Sequence, residues 1–292
     1  MNHFFKAILL ISIVMIFISC SSSDKPETKK EPQVKDQKEA AKGLPDVSND
    51  EKVKHLLEAL KINQSASGLY FDLGTRYMEL DRPDLAQPAF TKALEIEPAN
   101  LKFKISLGDS MTEQGRVQKA EEIYKQVLEK DNKNVSALNS LGILYFNMGK
   151  MKEAAGKFQR VIELDSKHLK AYYNLGLVKS LMNKPDEAER MFLKVRELDP
   201  GMIAPIKHLA ELAFRQRQWE KCEKLSREGI QKDDKAPEFV YYLARIEYER
   251  KNYTESKKLI EKFLGMNYIG PMEADARAML LEIKGQETKG KK

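Results

Sequence analysis

A 34-residue period runs through the middle of this chain and constrains its fold more than any other feature of the sequence. Counted from Ser67, the seventh position of the period is leucine in all six copies, and the eighth is glycine or alanine. The twentieth position is a small residue in every copy, and the twenty-fourth is aromatic in four of the six. No insertion interrupts the period across residues 67–270. Columns that keep phase over so many copies indicate a repeated supersecondary unit.

These columns predict a helical hairpin in each period. Leucine and the small residue after it lie on one face of a first helix, where the small residue lets a second helix approach closely. The small residue at the twentieth position is the matching contact on the second helix, and the aromatic residue one turn later fills the space beside it. Turn signals such as Gly115 and Gly149 separate the two helices. Ser226 and Gly229 are small where bulk is expected, so we expect looser packing in the fifth and sixth repeats.

The pattern resembles the tetratricopeptide repeat, whose signature places an aromatic residue, Leu-Gly, Tyr, Ala, Phe and Pro in that order. The first copy matches this signature with Tyr70, Leu73, Gly74, Tyr77, Ala86, Phe90 and Pro98. The resemblance implies an all-α fold, a tetratricopeptide-repeat superhelix (α-solenoid) of about six helix-turn-helix repeats with capping helices. It also implies a binding scaffold, because such repeats present surfaces to other proteins.

The frame gives a prediction for each segment of the chain. The six repeats are predicted over residues 67–100, 101–134, 135–168, 169–202, 203–236 and 237–270. Residues 50–66 are in register with a second helix and are predicted to cap the N-terminal end as a half repeat. Residues 271–284 have apolar side chains at helical spacing and are predicted to form a C-terminal capping helix. Residues 285–292 are predicted to be a disordered basic tail.

The N-terminus has the features of a targeting segment. Residues 1–19 combine Lys6 with a 12-residue apolar run, which is too short to span a membrane as a helix. The run ends at Ser19-Cys20, which resembles the lipobox of bacterial lipoproteins, and this resemblance implies cleavage before Cys20 and acylation there, for example with palmitate. A plain secretory signal and an uncleaved signal anchor are the alternatives. Residues 20–49 are rich in Lys, Glu, Pro and Ser and are predicted to form a disordered tether behind the lipidated cysteine.

Residue types that support catalysis or metal binding are scattered along the sequence. Gly108-Asp109-Ser110 superficially resembles an esterase nucleophile motif, but Gly108 is an in-frame small residue inside a predicted helix, whereas a nucleophile needs a sharp exposed turn. The four histidines lack the paired spacing of a zinc site, and the sequence has no glycine-rich phosphate loop. Cys222 occupies a buried column and is predicted to be a core thiol. We therefore predict a protein that is not an enzyme, with no cofactor, no metal and no small-molecule substrate.

The charge pattern excludes another class of partner. The formal net charge is +6, and lysine and glutamate alternate along the predicted helix surfaces. A nucleic-acid binder usually concentrates its basic residues on one face. We therefore predict no nucleic-acid partner.

In the family that this chain resembles, function lies on the concave face lined by the first helices. In this frame the concave positions are the second, fifth, ninth and twelfth. The predicted partner-binding residues at these positions are Phe71, Ile105, Ile143, Phe146, Lys170, Tyr173, Leu177, Lys207, Phe214, Tyr241, Arg245 and Tyr248. Aromatic residues interleaved with charges suit an amphipathic helix or an extended segment of another protein. The alternative for each residue is packing between neighbouring first helices.

These observations favour one function. We predict a lipid-anchored protein–protein interaction scaffold of the bacterial cell envelope, facing the periplasm or the exterior, which binds a protein partner (a peptide or helix) in the groove. Its contact with the membrane is predicted to run through the lipid on Cys20. The alternatives are a pilotin-like or envelope-assembly lipoprotein and an adaptor or regulator of a cell-wall hydrolase.

Overall fold

The computed structural model describes residues 50–289, and all the regular secondary structure in this range is α-helical. The fourteen helices of the described range are α1 (Glu51–Ile62), α2 (Ser67–Glu79), α3 (Pro83–Ile96), α4 (Leu101–Glu113), α5 (Val117–Lys130), α6 (Val135–Asn147), α7 (Met151–Leu164), α8 (Leu169–Leu181), α9 (Pro185–Leu198), α10 (Ala204–Arg215), α11 (Trp219–Lys232), α12 (Pro237–Glu249), α13 (Tyr253–Leu264) and α14 (Pro271–Lys289). The predicted all-α helical-repeat fold is confirmed.

Local sequence explains where the helices begin. The side chains of Asn100 and Asn134 accept hydrogen bonds from the backbone N–H groups of Phe103 and Ala137, at 3.3 and 3.0 Å, and so cap α4 and α6. Helices α3, α9 and α12 begin with proline. Proline is tolerated at a helix start because the first N–H groups of a helix have no intrahelical partner.

The turn inside each repeat has the same backbone geometry. The fifteenth position of the frame is left-handed in all six repeats, with φ angles of 61°, 73°, 73°, 56°, 55° and 62° at Asp81, Gly115, Gly149, Asn183, Arg217 and Lys251. Glycine adopts this conformation without strain, and Asn and Asp tolerate it better than other residues do. The last two repeats therefore hold a long charged side chain at a position that suits glycine.

The chain divides into two compact units on either side of Lys150. Unit 1 contains α1 to α6, in which successive helices pack against each other and the first helices α2, α4 and α6 lie side by side. Unit 2 contains α7 to α14, in which the same arrangement brings α10, α12 and α14 side by side. Unit 1 contains two complete hairpins and unit 2 contains three, because the division falls inside the third repeat, between α6 and α7.

An aromatic ring explains why the eighth position of the repeat is occupied by a small residue. A β-carbon added at Gly74 would lie 2.6 Å from the ring of Phe90, and one at Gly108 would lie 2.6 Å from the ring of Tyr124. These distances are shorter than any normal contact, so the ring at the twenty-fourth position packs directly on the glycine backbone. This contact sets how closely the two helices of the hairpin approach.

The expectation of looser packing around Ser226 and Gly229 is wrong. Phe239 of α12 is fully buried, and a β-carbon added at Gly229 would lie 2.2 Å from its ring. Ser226 and its neighbour Cys222 are also fully buried. The bulk that the fifth repeat lacks is supplied by the next helix along the chain.

The end helices pack on the units that they close. In α1, Val53 and Leu60 are buried in one cluster with Leu73 and Tyr77 of α2. In α14, the buried residues that face the rest of unit 2 are Ala276, Met279 and Ile283.

The C-terminal helix is longer than predicted, because α14 continues to Lys289. The predicted disorder is therefore wrong for residues 285–289. The polar residues after Ile283 include ordinary helix formers, and a single Gly285 costs about 1 kcal/mol without ending a helix. The predicted signal peptide, Cys20, the tether up to residue 49 and the tail residues 290–292 lie outside the described residues.

Candidate functional site

The predicted binding residues of unit 1 fall into two groups. Ile105 is only 7% exposed and lies in the core. Phe71 is partly exposed, with its ring stacked on that of Phe103 at 4.9 Å between centroids and Nζ of Lys102 at 4.4 Å from its centroid. Ile143 and Phe146, both on α6, are also partly exposed. Unit 1 therefore offers an apolar surface on α2 and α6, whereas Ile105 has a packing role.

Two aromatic residues of unit 2 are not available to a partner. Tyr173 and Tyr241 are 2% and 6% exposed, so the expectation that they form part of an exposed aromatic strip is wrong. The physical reason is that the fifth position of a first helix lies against the next first helix. The hydroxyl group of Tyr173 is 2.9 Å from Nε2 of His208, and that of Tyr241 donates to Asp275 at 2.8 Å. Burial raises the pKa of Tyr173 to about 12.

The charged residues predicted for the groove mostly join neighbouring first helices. Nζ of Lys207 on α10 is 3.1 Å from Oε1 of Glu238 on α12. Arg245 on α12 binds Asp275 of α14 at 3.0 Å and Glu249 of its own helix at 2.8 Å. The Lys207–Glu238 and Arg245–Asp275 pairs therefore link adjacent first helices. Lys170 is the member of the predicted set in unit 2 that is exposed, whereas the others are buried or half-buried.

Three apolar members of the predicted set in unit 2 keep part of their surface exposed, namely Leu177, Phe214 and Tyr248. Phe214 packs against Tyr242 with ring centroids 4.8 Å apart. Tyr248 donates a hydrogen bond to Glu282 of α14. In unit 2, the first helices α8, α10 and α12 therefore each show one partly exposed apolar member of the predicted set, and binding through these residues stays a prediction.

Sequence reasoning missed a set of buried polar atoms. Within the described residues, three buried side-chain atoms have no hydrogen-bond partner: Oδ1 of Asn139, Nδ2 of Asn174 and Oε2 of Glu238. All three residues are on first helices, at the fifth, sixth and second positions of the frame. Buried polar groups are nearly always hydrogen-bonded in folded proteins, so each of these atoms is a place where a ligand or water gains a hydrogen bond. The sequence showed that these residues lie on first helices, but it did not show which of their atoms are buried without a partner.

A second polar feature lies on α4. Asp109 accepts a hydrogen bond of 2.7 Å from the hydroxyl group of Tyr124. Desolvation raises the pKa of this carboxyl group, and Glu113 one turn later raises it further. Ser110, from the motif that superficially resembles a nucleophile, is fully buried inside α4 and donates to the carbonyl oxygen of Leu107 at 2.7 Å. The segment therefore lacks the exposed turn that a nucleophile requires.

Two other groups that could take part in chemistry lie in unit 2, the half-buried imidazole of His208 and the buried thiol of Cys222. The ring of His208 stacks on that of Phe192 at 4.8 Å, and its Nδ1 is 3.7 Å from Oε2 of Glu211. This contact with His208 lowers the pKa of Glu211. Cys222 is fully buried, and burial raises the pKa of its thiol to about 12, so it is a core thiol as predicted.

The described residues contain neither a metal-type cluster nor a membrane-spanning helix. Between residues 50 and 289, no His, Cys, Asp and Glu side chains come together in a group of three or more that could hold a metal ion. Over the same range, no helix has both the length and the apolar character needed to cross a bilayer.

Two family models match parts of this chain. Residues 59–172 match the TPR domain of cytochrome c-type biogenesis protein H. Residues 169–201 match the tetratricopeptide repeat. Both models describe repeat domains, and neither describes a catalytic family. No curated protein matches the chain.

Solved structures of bacterial repeat proteins are similar to this chain. PilF of Pseudomonas aeruginosa is 20% identical, with 76% of this chain and 98% of that chain covered and a TM-score of 0.63. The C-terminal part of a TPR repeat-containing protein from Cytophaga hutchinsonii is 16% identical, with coverage of 77% and 92% and a TM-score of 0.60. A tetratricopeptide repeat protein from Parabacteroides merdae is 18% identical, with coverage of 82% and 88% and a TM-score of 0.56. Identities this low show the fold alone. Together with the family models, they support tetratricopeptide repeats in this chain, a scaffold that suits protein–protein interaction.

Proposed function

We propose that this chain is a lipid-anchored protein–protein interaction scaffold of the bacterial cell envelope, and that it binds a partner segment on the faces of its first helices. The observation that carries the proposal is the apolar surface of unit 1, formed by the partly exposed side chains of Phe71 on α2 and of Ile143 and Phe146 on α6. An amphipathic helix or an extended segment of another protein would gain contact area from these side chains.

The anchor is supported by the N-terminal sequence. A 12-residue apolar run followed by Ser19-Cys20 fits a lipoprotein signal, and acyl chains on Cys20 would hold the mature chain at a membrane facing the periplasm or exterior. Residues 20–49 would then connect the lipid to α1. Fully stretched, a segment of this length spans on the order of 100 Å, so the repeats reach partners away from the membrane surface.

A second candidate function is an adaptor in cytochrome c-type biogenesis. The match of residues 59–172 to the TPR domain of a cytochrome c-type biogenesis protein favours it. The pilotin-like and hydrolase-adaptor alternatives share the same binding mode and differ in the partner.

Cross-linking pull-down from detergent extracts tests these proposals. The bait is the full chain, the test variant is Phe146→Ala on first helix α6, and the matched control is Leu193→Ala on second helix α9. Leu193 is 44% exposed, so the control also removes an exposed apolar side chain. We expect a specific partner with wild type and the control, and its loss with Phe146→Ala. The partner's class, whether a secretin, a hydrolase or a cytochrome assembly protein, separates the candidates.

Two outcomes would contradict the proposal. If the same partner is retained by Phe146→Ala and lost with Leu193→Ala, binding uses the second-helix face. If wild type and Cys20→Ala partition equally into the detergent phase, the lipid anchor is wrong.

A further inference from the structure

A carboxylate of α4 lies among hydroxyl groups in unit 1. Asp109 accepts from the Tyr124 hydroxyl at 2.7 Å, and the hydroxyl group of Ser140, on the neighbouring first helix α6, also hydrogen-bonds to it. The Tyr124 hydroxyl is in turn 3.1 Å from Oγ1 of Thr112. We call these four residues the Asp109 cluster. Its hydroxyl groups hold the carboxylate in place, but they bring no positive charge to it.

The surroundings of Asp109 disfavour its charged form. Desolvation raises its pKa, and Glu113, exposed one turn later on the same helix, adds like-charge repulsion. An asparagine would accept the same hydrogen bond from Tyr124 without carrying a charge that has to be desolvated. A carboxylate kept in such a place is a candidate binding group, because a cation from outside would relieve the cost of its burial.

Asn139 supplies an independent second acceptor. Its Oδ1 atom is buried and has no hydrogen-bond partner. Asn139 directly precedes Ser140 on α6. It is the fifth residue of the third repeat, and Asp109 is the ninth residue of the second repeat. In unit 2 the corresponding residues, Arg245 and Asp275, are in contact at 3.0 Å. Asp109 and Asn139 have the equivalent positions on the first helices α4 and α6, which contact each other.

We propose that Asp109 and Asn139 form a subsite for a lysine or arginine side chain of the bound partner segment. The inference rests on the proposed function and specifies the partner's chemistry. An ammonium or guanidinium group carries several N–H donors together with a charge, so it can serve both acceptors and compensate the carboxylate. Apolar side chains next to this cation would contact Ile143 and Phe146, which are partly exposed on the same helix α6. The partner segment is therefore basic at one position and apolar beside it.

An array of short synthetic peptides tests the subsite with the complete folded chain. Each peptide carries a central lysine or arginine in an apolar context and has a counterpart with norleucine at the centre. We expect wild type to bind the cationic peptides about tenfold more tightly than their norleucine counterparts, as befits a charge-assisted hydrogen bond. Asp109→Asn should abolish this preference, and Asn139→Ala should reduce it. Glu122→Gln removes an exposed carboxylate from second helix α5 and should retain the full preference.

The outcomes separate the subsite from the proposed function. If Asp109→Asn keeps the preference, or if wild type binds both peptide sets equally while Phe146→Ala abolishes binding, the subsite is wrong and the binding face stands. If none of the peptides binds wild type, the subsite is wrong, and the pull-down alone decides the proposed function. If Phe146→Ala binds the cationic peptides as wild type does while Asp109→Asn loses the preference, the subsite stands and the apolar contact with Phe146 is wrong. Asn139→Ala gives the same readout if Asp109→Asn does not fold, which circular dichroism would reveal.

Discussion

The fourth and fifth repeats have the same hairpin, but they fill the space between their helices from different sides. In the fourth, Gly176 of α8 supports the ring of Phe192 of α9, and a β-carbon on the glycine would lie 2.7 Å from that ring. In the fifth, the corresponding residues are Ala210 and Ser226, both fully buried and both small. The fourth hairpin is therefore filled from within, whereas the fifth lacks a large side chain at that place.

The missing volume in the fifth repeat comes from the next repeat. Phe239 of α12 packs on the backbone of Gly229 in α11, where no β-carbon would fit. The comparison teaches that the unit of packing in this fold is a pair of adjacent repeats. A weak match to the repeat signature can therefore coexist with a dense core, because the compensating residue is outside the weak repeat.

The largest effect is expected from removing the ring that crosses between repeats. Phe239→Ala should lower the free energy of unfolding by about 3–5 kcal/mol, because it leaves a cavity in the core of unit 2. Chemical denaturation followed by circular dichroism measures the change. A loss below about 1 kcal/mol would mean that the fifth repeat is not held by Phe239.

A second substitution, at Gly229, should restore part of the stability that Phe239→Ala removes. In the second and third repeats the residue equivalent to Gly229 is valine, at Val127 and Val161. In the repeats that follow them, the third and fourth, the residue equivalent to Phe239 is alanine, at Ala137 and Ala171. Gly229→Val combined with Phe239→Ala should therefore recover part of the stability lost by Phe239→Ala, since the two changes conserve volume. Gly229→Val alone should be more damaging than the double variant.

This swap shows which part of the fold could be predicted from sequence. The leucine and glycine columns predict the helices and their boundaries, because those positions act within one hairpin. The exchange of Gly229 and Phe239 involves two columns in different repeats, so a comparison of single columns predicts loose packing there. The signal was present in the sequence as a small residue in one column matched by a large one in the next repeat.

A similar distinction applies to Tyr173, which also fills space between repeats. Its ring centroid is 5.9 Å from that of Phe192 and 5.5 Å from that of His208. We expect Tyr173→Ala to cost about 3 kcal/mol of unfolding free energy, because a buried aromatic side chain is lost. Phe146→Ala, at a partly exposed position, should cost much less. If Tyr173→Ala and Phe146→Ala lower the melting temperature by equally small amounts, Tyr173 has no packing role and remains a candidate binding residue.

The candidate site was less predictable than the fold for the same reason. The frame identified which positions line the first helices, but it could not distinguish an exposed side chain from one covered by the next first helix. Tyr241 is covered because Asp275 of α14 accepts its hydrogen bond at 2.8 Å. Asp109 and Asn139 lie at the ninth and fifth positions, which the frame assigned to the concave face, but they were not among the predicted binding residues. Their significance depends on burial and, for Asn139, on a missing hydrogen-bond partner, which sequence periodicity does not report.

A β-carbon added at Gly176 tests whether the ring of Phe192 fills the space between the two helices of the fourth repeat. Gly176→Ala should cost about 1–3 kcal/mol, because the buried ring of Phe192 has to shift. Gly156→Ala in α7 is the matched control, since that glycine is also helical but has nothing within 4 Å of an added β-carbon. The control should gain about 0.5–1 kcal/mol from helix propensity. If Gly176→Ala and Gly156→Ala both increase stability, the ring of Phe192 moves aside at no cost and does not limit the approach of the two helices.

The second repeat contains a polar version of the same contact, and its stability should depend on pH. Tyr124 packs on Gly108 and donates to Asp109, whose pKa is raised chiefly by desolvation. A carboxyl group with a raised pKa in the folded state contributes stability below its unfolded pKa, and this contribution is lost as pH rises through the folded pKa.

Asp109→Asn should therefore stabilise the chain relative to wild type at neutral pH, by on the order of 1 kcal/mol, and the gain should shrink towards acid pH. Thermal melting at several pH values measures both trends. An Asp109→Asn variant that is less stable than wild type at neutral pH would show that the carboxylate is favourably solvated.

The smallest effect is expected at the turns, where the fifth repeat again departs from the earlier ones. Arg217 has a φ angle of 55°, and the same position is glycine in the second and third repeats, at Gly115 and Gly149. A non-glycine residue in the left-handed region is strained by roughly 1 kcal/mol, whereas glycine adopts it freely but loses more backbone entropy on folding. Arg217→Gly should therefore raise the free energy of unfolding by no more than about 1 kcal/mol, and Gly115→Ala should lower it by a similar amount. Differential scanning calorimetry of the two variants measures both shifts. If Arg217→Gly is destabilising by more than about 1 kcal/mol, the arginine side chain contributes contacts that outweigh the strain, and the turn of the fifth repeat would be specialised in the same way as its core.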